Sequence, residues 1–95
     1  MRIYISGQIT GLNLEVATKL FKDAQEKFEA KGYEVVNPME LPHNHAQTWG
    51  EYMLEDLAAL LTCDSIYMLK DWQRSAGASI EYKFALKLEL NFIFE

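Results

Sequence analysis

The sequence predicts an α/β domain: a doubly wound, three-layer parallel sheet of four strands in the order 2-1-3-4. Three observations predict it. Short β-prone runs alternate with helical apolar periodicity in the order βαβαβαβ, which implies a parallel sheet with helices on both faces. The first run is apolar at three successive positions, Ile3, Tyr4 and Ile5, as in a strand covered on both sides. The chain has 95 residues, the size of one domain, so residues 1–95 are read as a single unit. Right-handed crossovers make 2-1-3-4 the simplest doubly wound order.

The elements follow in order. Arg2–Ser6 is the first strand, ended by Gly7, and Gly7–Gly11 is a loop with a glycine at each end. A helix is expected over 13–31, with Ala17, Leu20, Phe21, Ala24 and Phe28 at helical spacing and Lys19, Lys22, Asp23, Glu26 and Lys27 on the other side. Asn13 is placed to cap its start, and Gly32 to end it in the left-handed conformation. Residues 33–36 form the second strand, which Asn37-Pro38 stops. A loop over 39–47 contains Pro42, His43 and His45. The next helix spans 48–61. Thr48-Trp49-Gly50-Glu51 has the capping-box spacing, in which hydroxyl and carboxylate each satisfy a free backbone N–H. Leu54, Leu57, Ala58 and Leu61 are its expected apolar stripe. The third strand covers 64–69, a loop passes through Asp71 and Trp72, and a helix over 76–89 presents Ile80, Phe84, Ala85 and Leu88. Residues 90–94 close the sheet. The result is a flavodoxin-like or Rossmann-like fold.

Composition narrows the function. Hydrophobic residues make up 49% and charged residues 24%, as in a folded globular domain rather than a disordered chain. The formal charge of −5 lacks the field that holds a nucleic-acid polymer. A single nucleotide in a local pocket is still compatible with it. No apolar run is long enough for a membrane span, and the first residues do not read as a signal peptide. Cys63 is the only cysteine, so a reducing cytoplasm fits best and a cysteine-based zinc site is excluded. His43-Asn44-His45 offers two histidines without a third ligand and reads as a polar loop tip, so no metal is expected. Nothing calls for an organic cofactor.

Doubly wound sheets bind ligands beyond the carboxyl ends of the strands where the strand order reverses, here between strands 1 and 3. One wall is Gly7-Gln8-Ile9-Thr10-Gly11. Its glycines fit a backbone approaching an anion and a plain tight turn equally well. The other wall is Ser75-Ala76-Gly77-Ala78-Ser79-Ile80-Glu81, small residues opening a helix and then a carboxylate. Taken alone, Glu81 reads as an ordinary glutamate near a helix start. Glu55 and Asp56 are adjacent on their helix and point in different directions, one of them to solvent. Asp56 is at helical spacing from Tyr52 and Leu60. Asp64 reads as a turn residue, and Trp49 and Trp72 as core or rim.

Together these residues resemble the nucleoside 2-deoxyribosyltransferase-like superfamily, and most closely its small bacterial and phage branch (DUF4406-like). Three blocks carry the resemblance: Tyr4 through Gly11; Trp49 through Asp56; and Cys63-Asp64-Ser65-Ile66-Tyr67-Met68-Leu69 with Trp72, Ser75, Gly77-Ala78, Glu81 and Ala85. They span nearly the whole chain. The resemblance implies that Glu81 is the nucleophile that attacks the anomeric carbon, and that Asp56 assists at the sugar and leaving base. It also implies that Tyr4 and the segment Ser6, Gly7, Gln8, Ile9, Thr10 and Gly11 contact sugar and phosphate. Asp71, Trp72, Ser75, Gly77 and Ala78 complete the expected substrate contacts. The transferases usually carry aspartate where this chain has Ser75, whereas the deoxynucleoside-monophosphate hydrolases carry serine in a Ser-x-Gly-x-Gly-x-Glu run. Loop 1 has no arginine, so a phosphate is expected to rest on backbone N–H groups and the hydroxyls of Ser6, Thr10 and Ser75.

The chemistry is coherent. Breaking an N-glycosidic bond builds positive charge on the sugar, which a carboxylate stabilises or captures covalently. A second acid protonates the departing base, and the two need different pKa values. The leading expectation is N-glycosidic cleavage or base exchange on a (deoxy)nucleoside or its 5′-monophosphate, in a homo-oligomer. Relatives extend past the fourth strand and complete a neighbour's site. That difference keeps a second expectation open, a module that binds a nucleotide or nucleotide-derived signal without turning it over.

Overall fold

The computed structural model describes residues 1–43 and 47–95. Its elements are β1 (Arg2–Ser6), α1 (Leu14–Glu29), β2 (Glu34–Val36), α2 (Trp49–Leu61), β3 (Ser65–Met68), α3 (Ala76–Lys87) and β4 (Asn91–Phe94). The four strands form one sheet in the order β2-β1-β3-β4, all pairs parallel, with Ile3 beside Val35 and Ser65. This is the expected doubly wound α/β fold. Short 3-10 turns at Pro38–Glu40 and Trp72–Arg74 interrupt the two loops read as irregular.

Strand alternation divides the core in two. Ile3, Ile5, Tyr67 and Leu69 face α1 and pack on Phe21, Ala24 and Phe28. Tyr4, Ile66 and Met68 face the other way, against Leu60 of α2 and Ala85 of α3. The same alternation sends the Ser6 side chain to the face of Tyr4, towards α3. That pairing builds the site.

The helix ends behave as the sequence implies. Asn13 accepts from the backbone N–H groups of Glu15 and Val16, and Gly32 has φ 86°. Thr48 and Glu51 form the full capping box. Helix faces differ from expectation. Leu20 is exposed on α1, and Ile80 on α3. On α2 the expected stripe is largely outside: Leu54 is 69% and Leu61 59% exposed, while Met53 and Leu60 are buried. The inward face is therefore rotated by about one position, and it carries Asp56. No helix among the described residues is long and apolar enough to cross a membrane.

Candidate functional site

Beyond the carboxyl ends of β1 and β3 lies a cavity of about 680 Å³, within the size range of small-molecule sites. β1 and β3 are drawn together there: Leu69 N–H donates to the Ser6 carbonyl at 2.8 Å. Gly7 permits the approach, because a Cβ on it would lie 2.7 Å from Leu69 Cδ1. The floor and walls come from Gly7, Ile9 and Thr10 of loop 1, Asp56 of α2, and Ser75, Gly77, Ala78 and Glu81 around α3. Gly77 leaves room for a neighbour: a Cβ there would meet Met53 Sδ at 3.2 Å.

Glu81 is 5% exposed. Tyr4 Oη donates to its Oε2 at 2.5 Å, and Ser6 Oγ to its Oε1 at 2.7 Å. Two donors two residues apart on one strand face thus hold both oxygens of a carboxyl from the second turn of α3. Burial pushes the Glu81 carboxyl up to about 7, against the two hydroxyls that favour its ionised form; the nearby Asp56 charge pushes it further up. Burial, with the nearby Glu81 and Asp56 charges, also raises the Tyr4 hydroxyl well above its ordinary value, so it stays a donor.

Asp56 is the second carboxyl of the cavity, with its side chain 15% exposed. Burial raises it to about 6, with the His43 ring pulling down and Glu55 pushing up. Its Oδ1 is buried and accepts no hydrogen bond among the described residues; His43 Nε2 lies 3.4 Å away. Glu55, more exposed, reaches the opposite ring nitrogen of the same histidine at 2.5 Å.

The other expected residues fall into separate roles. Tyr4 and Ser6 do not line the cavity but donate to Glu81, which does. Gln8 and Gly11 shape the loop from within: Gln8 Nε2 donates to the Thr10 carbonyl, and Gly11 has φ 91°. Asp71 and Trp72 lie outside the lining. Asp71 takes φ 64° to start the 3-10 turn, and the turn sends Trp72 away to stack on Tyr82 with centroids 4.5 Å apart. Asp64 accepts from the Arg2 N–H and from Ser65 Oγ, an anchoring role at the opposite end of the sheet. Two hydroxyls expected to meet a phosphate are otherwise engaged. Ser6 donates to Glu81, and Ser75 caps α3 by accepting from Ala78 N–H at 3.1 Å.

Sequence reasoning missed Arg74, which lines the cavity next to Ser75. It searched loop 1 for a cation, whereas the cation stands on the loop after β3, one residue before the α3 cap. It also missed His43, Tyr52, Met39 and Met53 as lining residues. His43 was read with His45, which lies outside the described residues. No group of three or more His, Cys, Asp or Glu side chains among the described residues is arranged to hold a metal ion.

The model of a family described as a domain of unknown function (DUF4406) matches residues 1–94. No curated protein matches the chain. Among solved structures, a 2-deoxyribosyltransferase from Bacillus psychrosaccharolyticus superposes with a TM-score of 0.78 at 19% sequence identity, over 99% of this chain and 71% of that one. At that identity the likeness is one of fold.

Proposed function

We propose that this chain, which belongs to the DUF4406 family, cleaves the N-glycosidic bond of a (deoxy)nucleoside or its 5′-monophosphate. The observation that carries the reading is the convergence of Glu81 and Asp56 on one switch-point cavity, each with its carboxyl raised by burial. The 2-deoxyribosyltransferase fold supports a nucleoside as the ligand.

In this mechanism the Glu81 carboxylate attacks the anomeric carbon. The C–N bonding pair leaves with the base, and Asp56 gives its proton to a base nitrogen. Water then attacks the glycosyl–Glu81 ester and loses its proton to Asp56, which releases the sugar and restores both carboxyls. A second base in place of water gives exchange. Ser75 favours hydrolysis by the family resemblance. Arg74, beside the N-terminal end of α3, supports a 5′-phosphate at the mouth, since a helix start and a guanidinium both favour an anion. The oligomer implied by the resemblance belongs to the same reading, and the exposed stripe of Leu54 and Leu61 supports it.

The test is chromatography of free base released from a panel of nucleosides and 5′-monophosphates, with wild-type protein and with Glu81→Gln. Release by wild type alone is the expected result. Full activity in Glu81→Gln would remove the nucleophile. Release from no substrate, together with a thermal shift on adding nucleotide, would replace the enzyme by a binding module.

A further inference from the structure

His43 stands on the loop before α2 with its side chain 16% exposed, and its ring is held on every side that the described residues reach. Nδ1 lies 2.5 Å from Glu55 Oε2. Glu55 is itself fixed by the Gln47 side-chain amide on its other oxygen. The Tyr52 ring packs edge-on at 4.8 Å. Nε2 lies 3.3 Å from the Pro38 carbonyl and 3.4 Å from Asp56 Oδ1.

Among the described residues the ring nitrogens face only oxygens: two carboxylates and a carbonyl. A carbonyl only accepts, and an ionised carboxylate only accepts. With Nδ1–H donated to Glu55, a bare Nε2 would aim its lone pair at two further acceptors. Asp56 Oδ1 has the matching deficit, since it is buried and accepts no hydrogen bond among the described residues. A proton on Nε2 serves the Pro38 carbonyl at 3.3 Å and faces Oδ1 at 3.4 Å, so a small turn of either side chain lets the same proton meet both. The 3.4 Å gap is long for a hydrogen bond. Catalytic contacts are often long in unliganded sites and tighten when substrate binds.

We infer that His43 is a positioning residue: clamped by Glu55, it shares one proton with Asp56 and fixes the orientation in which Asp56 meets the departing base. The inference rests on the proposed role of Asp56. The other titratable or charged groups around the pair are Glu55 and Tyr52 from α2, Glu81 from α3, Tyr4 from β1, and Arg74 on the cavity wall.

The experiment follows the Asp56 carboxyl by 13C NMR and the His43 ring by 15N NMR through a pH titration of the wild-type chain. The two signals are expected to move in a shared step, as coupled sites do. Independent steps would overturn the inference. In His43→Gln the Asp56 midpoint is expected to move up, because the ring that favours its ionised form is gone. An unmoved midpoint would overturn the inference too. Where base release is measurable, kcat of His43→Gln should fall about tenfold or more, with its pH limbs displaced. Loss of the acid itself costs roughly 10²–10⁴-fold. Unchanged kcat and limbs would exclude the positioning role. The NMR arms need no turnover and the wild-type arm needs no variant to fold. A chain that releases no base would therefore sink the proposed function while leaving the shared proton to be decided.

Discussion

Glu81 shows what burial does to one residue. The folded chain holds its carboxyl at about 7 against an ordinary 4.5, so the folded state binds that proton more tightly than the unfolded one. Stability contributed by the group is therefore present at low pH and is lost as pH rises from about 4.5 through about 7. A gap of that size is worth on the order of 3 kcal/mol. Glu81→Gln removes the ionisable group, so its thermal midpoint should exceed that of wild type by more at pH 8 than at pH 5, read by differential scanning calorimetry. Equal differences at the two pH values would contradict the raised carboxyl. Catalysis has its own pH signature. Below about 6 both Asp56 and Glu81 carry protons, and above about 7 both are ionised; between them the pair keeps one proton, which Glu81 holds more of the time, so the productive arrangement with Glu81 ionised and Asp56 protonated is the minor one. The kcat profile should be a narrow bell between those values, with limbs that belong to the coupled pair. Tyr4→Phe withdraws the donor 2.5 Å from Glu81 Oε2, so the carboxyl should hold its proton more tightly, the limb near 7 should move to higher pH and the height of the bell should fall. At this scale the sequence was legible through the family resemblance, which singled out Glu81 and Asp56. Spacing alone favoured an ordinary surface glutamate, because nothing local says that Tyr4 and Ser6 will stand opposite it.

The helix α2 explains where sequence periodicity misled. Leu54, Leu57, Ala58 and Leu61 are its most apolar stripe, yet Leu54, Ala58 and Leu61 are exposed. The face that packs inward is Met53, Leu57 and Leu60, with Asp56 among them. Asp56, which faces the cavity, breaks the inward stripe, so the most apolar stripe of α2 lies one position round from the buried one. The helix starts at Asn13 and Thr48 were easier to read, since each bonds to backbone within its own turn; Ser75, expected at a phosphate, caps α3 in the same way. Two substitutions separate the faces. Leu60→Ala should cost about 2–5 kcal/mol in urea unfolding, as buried truncations do. Leu54→Ala should stay within about 0.5 kcal/mol, as exposed ones do. Equal costs would mean that the face of α2 has been misassigned. The apolar residues left outside are the first place to look for a contact between copies, by sedimentation velocity with and without Leu54→Asp.

For the whole molecule, order 2-1-3-4 was legible because alternation, strand length and crossover handedness admit few other arrangements, and it located the cavity before any side chain did. What topology could not show was the separation of roles within each loop. Asp71 and Trp72 share a loop with Arg74 and Ser75, but a single 3-10 turn sends the first pair away from the cavity. The close passage of β1 and β3 at Gly7 is where the global fold and the site meet. Gly7→Ala puts a methyl into Leu69, so it should destabilise the chain by about 1–3 kcal/mol, and any thermal shift that nucleotide gives the wild type should shrink with it. The same topology also governs biosynthesis. β1 is an interior strand, and all of its sheet partners lie downstream: Arg2 meets Asp64 across 62 positions of chain. A ribosome adds roughly 5–20 residues per second, so Ile3, Tyr4 and Ile5 spend several seconds without β3. During that interval an oily segment is open to chaperones and to neighbouring nascent chains. The demand that places Tyr4 and Ser6 behind Glu81 therefore exposes the chain to aggregation before it has folded.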